Sequence, residues 1–282
     1  MLHMSRYPSP IIHPSRGSLP VLLSVPHSGR DYDGVLLANA AGGRSALETL
    51  EDPLVDRLAW RAIGAGLGAV IQAVPRAVID CNRDEDELDP AAIEGAGAMP
   101  AGSRARHGLG LVPSRTHRHG ALWRRPIDQD ELTRRIEQVY RPYHHAICDG
   151  LDALKERHGE SLLLDCHSMP SRRQTRPGVV IGDRHGTAAS AWICREAVRI
   201  IREAGLAATL NDPYAGGSIV ARHGRPGERV HALQLEFDRS LYLGRDGRRA
   251  GPEFDRIAAL LEALAVGLGK ALLDSPLREA AE

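Results

Sequence analysis

Short apolar runs alternate with longer amphipathic stretches along most of the chain. A continuous apolar run is typical of a buried strand, and such runs lie at 19–25, 69–74, 77–82, 162–166, 178–183, 207–210 and 232–237. Apolar positions spaced three and four residues apart predict helices over 52–66, 130–159, 187–204 and 253–273. This alternation predicts an α/β fold in which helices cover both faces of a mixed, mostly parallel sheet.

Local signals predict where the first of these helices begins and where the second is kinked and ends. Asp52 is a good N-cap and Pro53 suits the first helical position, so the first helix is expected to begin there. The long stretch over 130–159 contains Pro142, which is expected to kink it, and Gly159, which is expected to end it.

A single domain is predicted for residues 1–282. A chain of 282 residues with 43% hydrophobic residues can form one large core. Residues 1–18 are polar and rich in proline, so we expect a loose N-terminal arm. Residues 89–121 show no period, and a loop of that length is usually functional or mobile.

Charge and cysteine content exclude several classes of protein. Lys+Arg and Asp+Glu both number 36, so the basic excess of a nucleic-acid-binding protein is missing. The chain has no apolar run of membrane-spanning length, and its N-terminus lacks the apolar core of a signal peptide. Its four cysteines are scattered and form no C-x-x-C pair, which predicts a reducing, cytoplasmic location.

Reactive side chains follow or end the predicted strands. The carboxyl ends of parallel strands form the ligand-binding edge of an open α/β sheet, so their concentration there indicates a site. The residues are His27, Asn82, Arg83, Asp165, His167, Asp183 and Glu236.

Two of these residues predict a metal centre. His27 and His167 follow different strands, and neutral imidazole is the commonest protein ligand of zinc. The third ligand is expected to be a carboxylate from the start of the first helix, namely Glu51, Asp52 or Asp56. Since capping accounts for Asp52, Asp56 is favoured. The competing interpretation is that each histidine makes only a local backbone hydrogen bond.

Glu236 lies within a predicted strand whose alternation separates it from the apolar face. A carboxylate in that position is costly to bury unless it is paired, and a general base beside zinc-activated water would explain it. A salt bridge to Arg239 is the alternative.

Asn82 and Arg83 together can hold an acidic small molecule, because arginine binds carboxylates through two parallel hydrogen bonds. Neutralisation of the acidic run 84–87 would explain Arg83 equally well.

Eight short segments together resemble one known family. In chain order they are VPHSG (25–29), EDPLVDRLA (51–59), VIDCNRDEDE (78–87), LLLDCHSMP (162–170), VIGDRHGTAAS (180–190), NDPYAGG (211–217), RHG (222–224) and HALQLEFDRSLY (231–242). They resemble the N-formylglutamate amidohydrolase family over about residues 19–265. The resemblance implies a three-layer α/β/α fold, related to zinc-dependent exopeptidases and acylases. It also implies hydrolysis of N-formyl-L-glutamate to formate and L-glutamate, late in histidine breakdown.

The resemblance also implies roles for individual residues. Zn²⁺, or another divalent metal, would be held by His27, Asp56 and His167. Glu236 would be the general base. The resemblance places Asn82 and Arg83 against the substrate carboxylate.

The remaining candidates support this arrangement. Asp165 is expected to orient His167, or another ligand, without binding the metal itself. Arg115 is a candidate for binding a second carboxylate or the oxyanion. Segment 213–224 combines a turn with glycines that allow close approach to a ligand, and it contributes the substrate-binding candidates Tyr214, Gly216 and His223. A plain turn would also explain it.

Three other functions remain open from the sequence. The first is a zinc-dependent deacylase or carboxypeptidase-like enzyme acting on another N-acyl amino acid or a short peptide. The second is a metal-free hydrolase in which Ser28 or Ser168 is the nucleophile, although neither lies in a G-x-S-x-G motif. The third is a non-catalytic amino-acid-binding protein. The expected partner is an acidic small molecule rather than nucleic acid or a membrane, and the oligomeric state is left open.

Overall fold

The structure is a computed structural model and describes residues 6–99, 102–171 and 178–274. The strands are β1 (Ile11–His13), β2 (Val21–Val25), β3 (Gly68–Ile71), β4 (Arg115–Thr116), β5 (Gly120–Ala121), β6 (Ser161–Met169), β7 (Gly178–Gly182), β8 (Ala207–Leu210) and β9 (Val230–Asp238). The helices are α1 (Gly34–Asn39), α2 (Gly43–Leu47), α3 (Val55–Leu58), α4 (Trp60–Gly64), α5 (Gln129–Arg135), α6 (Arg141–His158), α7 (Ala191–Glu203), α8 (Ser218–His223) and α9 (Phe254–Leu273). None of the helices in these ranges combines the length and hydropathy that a bilayer-crossing segment needs.

A seven-stranded sheet forms the centre of the α/β fold, in the order β1-β3-β2-β6-β9-β7-β8. The pairs β2–β3, β2–β6, β6–β9 and β7–β8 are parallel, whereas β7 runs antiparallel to β9. The predicted α/β fold with a mixed, mostly parallel sheet is therefore confirmed. A separate two-stranded hairpin is formed by β4 and β5.

The two faces of the central strands differ in chemistry. Side chains alternate along a strand, so one face carries the apolar series of β2, β6 and β9. That series is Val21, Leu23, Val25, Leu162, Leu164, Cys166, Leu233, Leu235 and Phe237. Cys166 therefore belongs to the core, and burial raises the pKa of its thiol far above its ordinary value. The same strands direct Ser24, Asp165, His167, Gln234 and Glu236 to the opposite face.

Helices cover both faces of this sheet. Apolar side chains of α3, α4, α7 and α9 join the buried series on the apolar face. On the polar face, α8 packs against β9 and β6, and α6 brings Gly150 against Leu22 of β2. The chain at 129–158 is helical throughout, but a π-helical segment at Ile136–Tyr140 interrupts its α-helical hydrogen bonding between α5 and α6. The interruption lies just before Pro142, whose missing N–H prevents regular hydrogen bonding.

The chain divides into two compact units. The first comprises Met1–Ile11, Pro26–Glu51 and Gln72–His145, and the second comprises Ile12–Val25, Asp52–Ile71 and Ala146–Glu282. The first contains fully buried Tyr140 and Tyr143, and the second contains the apolar cluster around the sheet. The expectation of a single domain over residues 1–282 stays a prediction.

The prediction of a loose arm over residues 1–18 is wrong for residues 6–18, and residues 1–5 lie outside the described part. Tyr7 is buried, and its hydroxyl donates to Glu131 at 2.6 Å. β1 joins the sheet beside β3, and the Gly17 N–H donates to the Gly66 carbonyl at 2.9 Å. These tertiary contacts cannot be inferred from a proline-rich composition.

Two local predictions also fail. The helix expected to start at Asp52 begins only at Val55, because Leu54 adopts a left-handed conformation with φ 61°. Residues 77–82 form no strand. Their backbone hydrogen-bonds to a distant loop instead, as when the Asp80 N–H donates to the Leu111 carbonyl at 2.7 Å.

The antiparallel direction of β7 changes the placement of Asp183. Gly182 is in register with Gln234, so the following residue lies farther from the carboxyl end of β9. Asp183 there accepts hydrogen bonds from Asn211 at 2.7 Å and from Cys194 at 3.1 Å. The expectation that Asp183 joins the other reactive side chains at one sheet edge is therefore wrong.

The close approach at Gly182 gives a test of the fold. A Cβ there would lie 2.6 Å from the backbone carbon of Ala215 and 2.6 Å from the Gly216 nitrogen. We expect Gly182→Ala to lower the free energy of unfolding by about 1–3 kcal/mol, measured in urea. The control, Gly64→Ala, meets no atom within 4 Å. It should leave stability unchanged or raise it by at most about 1 kcal/mol. Equal stability of the two variants would contradict the packing described.

Candidate metal centre

The parallel strands β6 and β9 bring four polar side chains into two adjacent pairs. Asp165 is in register with Gln234, and His167 with Glu236. Ser24 of β2 is in register with Asp165 on the other side. All of these side chains are buried. A buried polar face of this kind requires each group to find a partner, since unpaired polar groups are costly away from water.

One group of buried side chains has the composition of a metal centre. His27, Asp52 and His167 each offer one ligand atom, and these atoms lie within 4.8 Å of one another. Their side chains are at most 4% exposed. Two imidazoles and one carboxylate form a common ligand set of catalytic zinc, which needs three protein ligands and an open position.

His167 is held by carboxylates at both ring nitrogens. Its Nδ1 lies 3.0 Å from Asp52 Oδ2, and its Nε2 lies 2.8 Å from Asp165 Oδ2. The other oxygen of Asp165 accepts a hydrogen bond from Ser24 at 2.7 Å. Burial alone would lower the pKa of His167, but Asp165 and Asp52 hold that pKa well above its ordinary value.

His27 is held in a similar way by Asp80. Its Nε2 lies 2.7 Å from Asp80 Oδ1, which also accepts from the Asn82 N–H at 2.9 Å. Burial alone would raise the pKa of Asp80, but the charges of Arg76 and His27 hold that pKa well below its usual value. Because Nε2 of His27 faces Asp80, Nδ1 is the ring nitrogen left for a metal.

These residues fit a divalent metal. A ligating histidine commonly donates its other ring nitrogen to a carboxylate, which fixes the ring and makes it a better ligand. Asp80 and Asp165 supply that carboxylate to His27 and His167. The predicted orienting contact of Asp165 with His167 is thus present. Asp80 was not predicted, because the strand expected over 77–82 gave it no special position.

The carboxylate in this group is Asp52 rather than Asp56, the residue favoured from the sequence. Asp52 does not cap the helix with its side chain, so the reason for discounting it does not hold. Asp56 is half-buried within α3. The third candidate, Glu51, is buried and accepts a hydrogen bond from the Tyr32 hydroxyl.

A short chain of hydrogen bonds orients Glu236. Its Oε1 accepts from the Gln234 amide at 2.9 Å, and the Gln234 oxygen accepts from the Gly217 N–H at 2.8 Å. The second bond identifies which end of Gln234 is the donor. Gln234 was not among the predicted site residues, although its position two residues before Glu236 places both on one strand face.

The predicted residues of segment 213–224 lie near these strands. Gly216 adopts φ 109°. It lies so close to Gly182 that a Cβ on Gly182 would be 2.6 Å from the Gly216 nitrogen. His223 lies in α8, where burial and the charge of Arg222 lower its pKa to about 4. It is therefore neutral at neutral pH. Tyr214 is half-buried in the loop before α8.

Arg83 is buried beside Asp80. Its Nε donates to the Leu109 carbonyl at 2.7 Å, and its Nη1 donates to the carbonyl of Asn82. Burial lowers the pKa of Arg83 from its usual value, although the nearby Asp80 opposes that effect.

Arg115 is exposed in β4, and its guanidinium donates to the Arg106 carbonyl at 2.6 Å.

Comparison with known proteins places these features in context. A family model described as N-formylglutamate amidohydrolase matches residues 19–243. An N-formylglutamate deformylase from Pseudomonas putida is 31% identical over 238 residues, covering 81% of this chain and 83% of that protein. A second, from Pseudomonas aeruginosa, is 29% identical over 238 residues, covering 81% and 84%.

A solved structure of similar shape supports the comparison. The crystal structure of N-formylglutamate amidohydrolase from Ralstonia eutropha JMP134 is 30% identical and superposes with a TM-score of 0.85. The match covers 94% of this chain and 98% of the other. A gene product from Agrobacterium tumefaciens, 17% identical, shares the fold with a TM-score of 0.62, covering 97% of this chain and 95% of the other.

The identity of the third ligand can be tested directly. Asp52→Asn removes the charge of the carboxylate grouped with the two histidines, and we expect zinc affinity to fall at least about 100-fold. Asp56→Asn is the matched control and should change affinity less than about threefold. Competition with a chromophoric chelator measures both. Loss of affinity in the Asp56 variant alone would restore the assignment favoured from sequence.

Proposed function

The chain belongs to the N-formylglutamate amidohydrolase family, and from this premise we propose that it hydrolyses N-formyl-L-glutamate to formate and L-glutamate. The chain is an amidohydrolase, and the proposal concerns its substrate and mechanism. The buried group of His27, Asp52 and His167 carries the proposal, because it supplies the ligands for metal-assisted amide hydrolysis.

Zinc is the proposed metal, with another divalent ion as the alternative. When bound, it supplies Lewis-acid polarisation of the amide carbonyl and makes water more acidic. The residues of the chain do the rest. With the metal bound, His27 and His167 would be its imidazole ligands, and Asp80 and Asp165 fix their rings.

Glu236 is proposed as the general base. It takes a proton from the attacking water as the C–O bond forms, and it returns a proton to the amide nitrogen as the C–N bond breaks. The products are then formate and the free amine of glutamate. Its register position beside His167 and its hydrogen bond from Gln234 support this role.

Arg83, helped by Asn82, is proposed to bind a substrate carboxylate. Nε and Nη1 of Arg83 donate to backbone carbonyls, whereas Nη2 has no hydrogen bond within the described ranges. A buried guanidinium with one nitrogen not engaged by the protein can donate to a carboxylate. Arg115, Tyr214, Gly216 and His223 remain predicted substrate contacts.

The wider biological assignments follow from the same proposal. The partner is an acidic N-acyl amino acid, the reaction belongs to histidine breakdown, and the location is cytoplasmic.

The Oγ of Ser168 hydrogen-bonds to Asp52 and Arg239 rather than to a histidine, which does not favour the serine-nucleophile alternative.

The substrate proposal predicts a specific activity pattern. The purified protein should release formate from N-formyl-L-glutamate faster than from N-formyl-L-leucine, because leucine lacks the second carboxylate that glutamate offers to the basic groups of the site. Acetate release from N-acetyl-L-glutamate tests the acyl group. A chelator should abolish hydrolysis and added zinc should restore it. Preference for another N-acyl amino acid would replace the substrate, and full activity without metal would contradict the mechanism.

The role of Glu236 predicts a loss of rate without a loss of metal. Glu236→Gln keeps the side-chain shape but cannot accept the proton, so kcat should fall by about 10²–10⁴-fold while zinc content is unchanged. Glu156→Gln, at an exposed position of α6, is the control and should keep wild-type kcat. An unchanged kcat in the Glu236 variant would contradict its role as base.

A further inference from the structure

We propose that Arg239 and Ser168 are positioning residues that hold Asp52 so that only its Oδ2 faces the metal. This inference rests on the proposed metal-dependent function. Arg239 Nη2 lies 3.1 Å from Asp52 Oδ1, and Ser168 Oγ donates to the same oxygen at 3.3 Å. Oδ2, by contrast, lies 3.0 Å from His167 Nδ1. The two oxygens of one carboxylate therefore have separate partners.

The turn after β9 explains how Arg239 reaches Asp52. Asp238 ends the strand, and its Oδ1 accepts from the Ser240 N–H at 2.9 Å, which caps a 3-10 turn over Arg239–Leu241. Arg239 begins that turn and donates from Nε to Ser168 Oγ at 3.0 Å. Arg239 thus bridges the end of β6 and Asp52 with two different nitrogens.

The same turn holds the backbone next to Asp52. The Tyr242 hydroxyl donates to the Pro53 carbonyl at 2.8 Å. Leu54 follows with φ 61°, a left-handed conformation that costs a non-glycine residue free energy and persists only where surrounding contacts impose it. Residues 239–242 therefore hold both the side chain and the backbone at 52–54.

Occupying Oδ1 has a consequence for coordination. A carboxylate without other partners can bind a metal through one oxygen or through both. Two donors on Oδ1 favour binding through Oδ2 alone, which preserves an open position at the metal. Arginine suits this task because its planar group reaches two acceptors at once, whereas lysine offers a single point charge.

Three variants separate the contributions. Arg239→Leu removes the charge and the hydrogen bonds to Asp52 and Ser168, Arg239→Lys retains only the charge, and Ser168→Ala removes one donor to Asp52. We expect zinc affinity to fall by about 10–100-fold in Arg239→Leu and by smaller factors in the other two. Arg249→Leu, at a position where the side chain is 91% exposed, is the control and should bind zinc as the wild type does.

A spectroscopic measurement distinguishes positioning from general stability. Each variant is loaded with Co²⁺, whose visible absorption depends on the number and geometry of its ligands. We expect a changed spectrum in Arg239→Leu and a partial return towards the wild-type spectrum in Arg239→Lys. If Arg239→Leu does not fold, the Arg239→Lys and Ser168→Ala spectra decide the question.

Two negative outcomes have different meanings. Wild-type affinity and an unchanged Co²⁺ spectrum in every folded variant would overturn the positioning role and leave the metal site intact. A wild-type protein that binds neither zinc nor Co²⁺ would overturn the proposed metal-dependent function, and this inference with it.

Discussion

The register between β6 and β9 is the constraint on which the candidate site depends. The strands pair in parallel over nine residues each, from Ser161 opposite Val230 to Met169 opposite Asp238. Side chains alternate with a period of two, so a shift of one strand by one residue would exchange its buried apolar and polar faces. His167 would then enter the core and Cys166 would replace it. The apolar cluster and the reactive face are therefore specified by one alignment of the backbone.

Buried carboxylates make that polar face possible. Asp165 and Asp80 are fully buried, and each lies within hydrogen-bonding distance of a histidine ring nitrogen. Neither charge would be tolerated alone, because an unpaired buried carboxylate shifts its pKa until it is neutral. Asp165 lies in a regular strand, whereas Asp80 lies in irregular backbone. The same chemical arrangement is thus built from two different local structures.

The parts of the site that could be predicted are those governed by periodicity. His167 was predicted because it follows an apolar run, Glu236 was predicted from apolar alternation within a strand, and β8 matches the prediction residue for residue. Asp183 was misplaced because strand direction depends on pairing, and an apolar run carries no information about direction. Asp80 and Arg239 were missed because both act through contacts with residues distant in sequence. Local pattern therefore locates most of the central strands and their faces, but not the partners that orient a ligand.

Asp52 shows why a local rule can fail at such a site. An aspartate followed by proline before an amphipathic stretch is a good helix start, and capping would lower the free energy of that helix by about 1 kcal/mol. Here the helix begins three residues later, and Leu54 adopts a left-handed conformation that costs about 1–3 kcal/mol. The hydrogen bonds of Asp52 with Arg239 and His167 are charge-assisted, and the Tyr242 hydroxyl binds the adjoining carbonyl. Tertiary contacts outweigh the local preference, which leaves the carboxylate directed at the histidines.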